Sequence, residues 1–282
     1  MPEPAAVAGT PPVTVAEAVV MGARRLASAG CDTPRLDAEV LLAFVLGVGR
    51  ERLVLDALSH LDPSVLARYQ ALLARREARE PVAYITGVRE FRRITLQVDR
   101  RVLIPRPETE LLVEVGLHLP SGARVIDVGT GSGAVALALA DERPDLDVVG
   151  VDVDGTALAV AAGNALRLGL GVAFVQADLL GNGELAKGAD AVLANLPYVP
   201  AEVPLAPEIS SYEPALALFS GPDGLDLVRR LMTMVDGVPL VAVEIGFGQG
   251  DAVASLMADV GFGSVSRLPD LAGHERVVVG RR

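Results

Sequence analysis

From Arg124 onward the chain repeats one pattern, in which short apolar runs alternate with amphipathic stretches of helical length. The runs RVIDVG, DVVGVDV, VAFVQAD, ADAVLAN, PLVAVEIG and ERVVVG read as strands. AVALALADE, TALAVAAGNALRLG, DGLDLVRRLMTMV and GDAVASLMADVG read as the helices between most of them. Strands this apolar need cover on both faces, and alternating helices supply it, so the expected fold class is α/β with a parallel sheet. No fixed-period repeat competes with that reading.

Upstream, residues 13–83 read as helical. Thr14 caps a first helix that ends at Gly30, Thr33-Pro34 opens a second, and Asp62-Pro63 opens a third. Leu66, Tyr69, Leu72 and Leu73 form the apolar stripe of the third helix, with Arg68, Arg75, Arg76 and Arg79 on its other face. Helices this short are marginal alone, so a small bundle is expected. Residues 84–106 change character. ITLQV and RVLI suggest a hairpin turning at Asp99-Arg100-Arg101. Arg89, Arg92, Arg93, Arg100, Arg101 and Arg106 make the stretch basic, read equally as a solvated linker or a partner-facing strip.

The length of 282 residues suits two domains, and 51% apolar residues can fill their cores. The lone Cys31 forms no intrachain disulfide, and His60, His118 and His274 lie far apart, so no metal site is expected. No apolar run reaches the ~18 residues of a bilayer span. The start, MPEPAAVAGTPPVTV, lacks the basic and apolar regions of a signal peptide and reads as a flexible tail over residues 1–12. A cytoplasmic location with no membrane contact is therefore expected. The net charge of −11 argues against binding driven by the phosphate backbone of nucleic acid.

The first strand runs into Asp127-Val128-Gly129-Thr130-Gly131-Ser132-Gly133 and then directly into a helix. Glycines there allow a sharp turn and close approach to a ligand. Dinucleotide enzymes share such loops, but the spacing here is GxGxG, without the GxGxxG that seats a pyrophosphate. Asp152, ending the second strand, is a candidate acceptor for both hydroxyls of a ribose. Asp178, ending the third, is a candidate acceptor for an adenine amino group, with Leu179 packing on the ring. The combination favours S-adenosylmethionine over a nicotinamide cofactor. Residues 243–250, VEIGFGQG, imitate a cofactor loop but lack a following acidic strand end, so they read as a later strand-to-helix turn from which Glu244 can point into the site.

The fourth strand delivers Asn195-Leu196-Pro197-Tyr198. A planar –NH2 group is a poor nucleophile and carries two N–H donors. The Asn195 side-chain oxygen and the Leu196 carbonyl can accept one each, Pro197 holds Leu196 extended, and Tyr198 can stack on a flat substrate. With a sulfonium leaving group no nucleophilic residue or metal is needed, and rate comes from alignment.

These residues resemble the NPPY-type amino methyltransferases, and among them the release factor glutamine methyltransferases. The resemblance runs through Arg89-Glu90-Phe91, the segment 104–110 (IPRPETE), the DVGTGSG loop, NLPY, the segment 212–218 (YEPALAL) and the closing residues 274–280 (HERVVVG). It implies a Rossmann-like, seven-stranded class I methyltransferase sheet over residues 107–282, preceded by a helical substrate-recognition domain over 13–83 and a β-hairpin linker over 84–106. It also implies methylation of the glutamine amide in the GGQ motif of peptide-chain release factors, with Phe91 and IPRPETE closing over cofactor and substrate. Glu108 and Glu110 acquire no assigned role. Leu196 stands where that family usually has proline, and NLPY is also the form in rRNA adenine dimethyltransferases. Glutamine methylation of a ribosomal protein, adenine methylation of nucleic acid and a non-catalytic binding module are the alternatives.

Overall fold

The computed structural model describes residues 13–282, and the tail expected over 1–12 lies outside the described residues. Between Thr86 and Gly87 the chain divides into two compact units.

The first unit is helical: α1 Val15–Ser28, α2 Pro34–Leu46, α3 Arg50–Leu55, α4 Pro63–Glu77 and α5 Val82–Thr86. A reciprocal capping box starts α1, because Thr14 Oγ1 accepts from Glu17 N at 3.2 Å while Glu17 Oε2 accepts from Thr14 N at 2.8 Å. Gly47, at φ 67°, ends α2, and Asp62 caps α4 through Ser64 N. The core gathers Leu26, Leu41, Leu42 and Leu73 around a fully buried Tyr69. The Tyr69 hydroxyl donates to Ala38 O at 3.2 Å, which satisfies its one buried donor. Short α3 and α5 have no counterpart in the sequence reading, since neither spans enough residues to show a period.

The arginines of α4 depart from the expected exposed face. Arg76 is buried and bonded to Asp37 at 2.8 Å. Arg75 is held by Glu80, and Arg79 donates to Gly30 O at 2.7 Å. These three guanidinium groups meet acceptors within their own bundle, while Arg68 stays exposed.

The second unit opens with a hairpin of β1 Val88–Phe91 and β2 Ile94–Gln97, Phe91 opposite Ile94. The hairpin therefore turns at Arg92-Arg93 rather than at Asp99-Arg100-Arg101, and RVLI is not a strand. Residues 98–106 instead form an irregular coil: the Asp99 carboxylate accepts from Arg101 N at 3.0 Å, while Val102 and Ile104 are buried. The basic residues here are mostly tied internally. Arg92 binds Glu142 and Glu114, Arg89 donates to Pro105 O, and Arg100 stacks on Tyr212. Glu110 accepts from Arg92 N at 3.1 Å, so its role is to fix the hairpin turn.

Then follow α6 Glu110–Leu117, β3 Arg124–Val128, α7 Ala134–Glu142, β4 Asp147–Asp152, α8 Gly155–Leu168, β5 Ala173–Gln176 and β6 Ala191–Ala194. The chain closes with α9 Pro207–Ser210, α10 Asp226–Met232, β7 Leu240–Glu244, α11 Gly250–Asp259, β8 Ser264–Pro269 and β9 Glu275–Arg281. Seven strands form one sheet in the order β5-β4-β3-β6-β7-β9-β8. The first five are parallel, and β9 runs antiparallel between β7 and β8. All six expected strands are present. The seventh, β8, escaped sequence reading because SVSRLP is an edge strand with mostly exposed residues and no continuous apolar run. The α/β fold class and the seven-stranded, Rossmann-like sheet are as expected.

Candidate active site

Strand order reverses at β3, whose neighbours are β4 on one side and β6 on the other. Connections leaving β3 and β6 diverge there, which opens a crevice at the strands' carboxyl ends. Because Val128 pairs with Ala194, the loop after β3 and the NLPY segment after β6 emerge side by side.

The glycine loop is held against the end of β4 by hydrogen bonds. Gly129 N and Thr130 N both donate to Val151 O, at 2.8 and 2.9 Å, and Gly131 N donates to Asp152 Oδ2 at 2.9 Å. Gly129, Gly131 and Gly133 take φ of 75°, 54° and 83°, which side-chain-bearing residues rarely adopt. Asp127 lies beneath the loop, where its Oδ2 accepts from Thr130 Oγ1 at 2.6 Å and Ala136 N at 3.2 Å. Burial pushes its carboxyl up to about 7 against the pull of those donors. Asn164 of α8, fully buried, donates to Ser132 O and also brackets Gln97 of β2. It was missed because nothing in the spacing of a helical asparagine reveals a loop 32 residues away.

The loop forms one wall of a cavity of about 310 Å³, within the range of small-molecule sites. Asp127, Gly129, Thr130, Gly131, Ser132, Asp152, Asp178, Leu179, Asn195, Leu196 and Pro197 all line it. Gly133, Tyr198 and Phe91 do not. Desolvation raises the pKa of Asp152, while its oxygens accept from Gly131 N and Asp154 N. Asp178, at the rim, is paired with Arg230 at 2.7 Å.

Asn195 Nδ2 donates to Thr109 Oγ1 at 3.0 Å. Its Oδ1 therefore faces away from that bond, on a residue of the cavity wall. The Tyr198 hydroxyl lies 3.4 Å from Glu244 Oε1, and burial pushes it up to about 12. Gln249 Nε2 donates to Tyr198 O and Asp223 O, both at 3.0 Å, so the turn read as a mere imitation of a cofactor loop braces NLPY. Phe91, expected at the substrate mouth, is instead 1% exposed at the end of β1 and does not line the cavity.

The opposite wall comes from two distant segments. Pro105 and Thr109 line the cavity together with Pro214, Leu216 and Ala217. Glu213, nearly buried, joins them by accepting from Ile104 N at 3.3 Å and Arg106 Nη2 at 2.6 Å. Thr109, Glu213 and Gln249 carry no signal in spacing alone, because partners 86, 107 and 51 residues apart meet only on folding. Among the described residues no cluster has metal-ligand geometry, and no helix is long and apolar enough to cross a membrane.

A glycine turn, a buried-edge carboxylate and an apolar wall at the switch point fit an adenosyl ligand and define a Rossmann-like class I methyltransferase. The fold agrees with the hMettl16 catalytic domain in complex with MAT2A 3′UTR hairpin 6, at TM-score 0.52 and 14% identity over 78% of this chain and 82% of that one. Family profiles described as PrmC N-terminal domain and methyltransferase small domain match residues 17–87 and 107–204. Release factor glutamine methyltransferases are similar throughout. That of Caulobacter vibrioides is 39% identical over 95% of this chain and 96% of its own length. That of Moorella thermoacetica is 40% identical over 96% and 99%. The chain belongs to the release factor glutamine methyltransferase family and is an S-adenosylmethionine-dependent enzyme.

Proposed function

We propose that the site methylates the side-chain amide nitrogen of the glutamine in the GGQ motif of peptide-chain release factors. The carrying observation is the Asn195–Thr109 bond, which commits the Asn195 nitrogen and leaves its oxygen for a substrate donor. The Leu196 carbonyl receives no hydrogen bond from the described residues and sits one residue along. Together they supply two acceptors for the two hydrogens of a planar –NH2. Pinning both hydrogens fixes the nitrogen and directs its lone pair along one line; orientation of this kind is worth about 7–11 kcal/mol in favourable cases. Leu196 in place of proline keeps the carbonyl, and Pro197 still restricts residue 196. Tyr198, whose carbonyl is braced by Gln249, would flank the approach of the substrate.

Bound S-adenosylmethionine supplies an electrophilic methyl group on a positively charged sulfur. Gly129 to Gly133 would cradle it, Asp152 would hold the ribose hydroxyls, and Asp178 with Leu179 would hold the adenine. Asp127 acts from beneath by keeping the loop in shape.

Residues 13–83 would recognise the release factor, in keeping with a cytoplasmic enzyme. Most α4 arginines are tied inward, so recognition rests on exposed apolar side chains including Phe44, Val54, Leu55 and Leu58. The test is transfer of tritiated methyl to purified release factor, ribosomal protein and rRNA. Label on the release-factor glutamine is expected, and label confined to RNA would end the proposal.

A further inference from the structure

Just past the end of β5 the chain takes a conformation that side-chain-bearing residues resist. Leu179 has φ 51°, yet it is buried and lines the cavity beside Asp178. Such a turn persists only where its surroundings over-determine it. One support is local, with Gly181 N donating to Asp178 O at 3.1 Å. A second comes from α10, 52 residues on, where Arg230 Nη2 donates to Asp178 Oδ2 at 2.7 Å. Leu227 and Arg230 stand three residues apart, hence on one face of that helix, and both line the cavity. We propose that Arg230 is a positioning residue for the cofactor's base: by holding Asp178 Oδ2 it presents Oδ1 to the adenine amino group, and so sharpens selection of adenosyl over other nucleosides.

A carboxylate offers two acceptor oxygens on a bond that turns over a broad range, so an aspartate standing alone at a rim has no preferred aim. The guanidinium takes one oxygen and limits that rotation. Asp178 Oδ1 accepts no hydrogen bond from the described residues, which leaves it for a donor in the cavity. The pair is open to solvent, with side chains 47% and 58% exposed, and ion pairs that open add little to stability. Its consequence is therefore orientation, and orientation shows in selectivity. An amino group gives hydrogens to a fixed acceptor, whereas an oxo group in its place meets that acceptor oxygen to oxygen.

The inference rests on Asp178 reading the adenine amino group, and the experiment separates the two. Calorimetry on the full chain compares S-adenosylhomocysteine with S-inosylhomocysteine, in which an oxo group replaces the amino group. Wild type should favour the adenosyl ligand about 10–100-fold, the scale of a hydrogen bond to a charged group. Arg230→Ala should cut that ratio about two- to fivefold, the scale of an exposed ion pair. Arg230→Lys, which keeps the charge but not the fork, should fall between. Asp178→Ala should abolish the preference, and adding Arg230→Ala to it should lower the ratio no further. A merely structural loosening would weaken both ligands alike. A wild-type ratio in Arg230→Ala, alongside a lost preference in Asp178→Ala, overturns the role of Arg230 alone. An equal fall on the Asp178→Ala background would put Arg230 on the base itself and overturn its action through Asp178. A wild-type ratio in Asp178→Ala overturns the adenine reading and this inference with it.

Discussion

A β-carbon built on Gly129 would lie 3.1 Å from the backbone oxygen of Asn195. The glycine loop and the NLPY segment are therefore close enough that a side chain on residue 129 would press on the NLPY backbone. Gly129→Ala meets a second obstacle, a φ of 75°. Forcing alanine into the left-handed region costs roughly 1–2 kcal/mol. Loss of that stability by denaturant titration is expected, together with a fall in methyl transfer, since relief must shift either the loop or Asn195. Wild-type stability and rate together would show that the contact is slack.

Asp152 ties the glycine loop to the end of β4. One oxygen already accepts from Gly131 N, and the other from Asp154 N. Asp152→Ala removes both acceptors and the proposed ribose contact. Hydrogen bonds to charged groups contribute about 1.5–3 kcal/mol, so affinity for S-adenosylmethionine should drop ~10–100-fold by calorimetry. Asp152→Asn keeps part of the acceptor set and should fall between. An unchanged affinity in Asp152→Ala would refute the ribose assignment.

Much of this site was legible because its residues follow strand ends directly. The sheet's apolar runs announce β3, β4, β5 and β6, and the candidate site residues stand at the ends of those strands or just beyond them. Register then brings Val128 and Ala194 together without further information. What stayed hidden depends on contacts between distant segments. Thr109 and Glu213 stood within recognisable motifs, but their partners Asn195 and Arg106 emerge only once the chain folds. The hairpin was misplaced because its true turn, Arg92-Arg93, lacks the usual turn residues; Arg92 reaches φ 50° with support from Glu110, Glu114 and Glu142. The α4 face was misread because helical periodicity reports side, not partner.

Asp127 gives a pH dependence of stability with a definite sign. Its carboxyl is raised to about 7 in the folded chain, chiefly by burial. An unfolded aspartate ionises near 3.9, so between about pH 4 and 7 the unfolded chain binds fewer protons and folding weakens as pH rises. The stability Asp127 contributes is complete below pH ~4 and lost once pH passes ~7. Asp127→Asn lacks this titration while keeping an oxygen for Thr130 and Ala136. Its stability relative to wild type should therefore climb with pH, by at most about 1.4 kcal/mol per unit, and level off above pH ~7. Parallel curves for the two proteins would contradict the raised pKa.

The helical unit contains a buried ion pair whose loss should be costly. Arg76 and Asp37 are bonded at 2.8 Å with side chains 7% and 8% exposed. Asp37 also accepts from Thr33 at 2.7 Å, at the start of α2, so the pair joins α2 to α4. Removing Asp37 takes that carboxylate from a buried guanidinium, and breaking a buried ion pair typically costs about 3–5 kcal/mol. Asp37→Ala should lose that much in denaturant titration. Arg25→Ala supplies the control, because its partner Glu77 is partly exposed and such a pair contributes about 1 kcal/mol or less. Replacing both Asp37 and Arg76 by apolar residues of similar volume should recover much of the loss, since the desolvation penalty of two charges vanishes with them. Equal effects of Asp37→Ala and Arg25→Ala would mean that water reaches the buried pair.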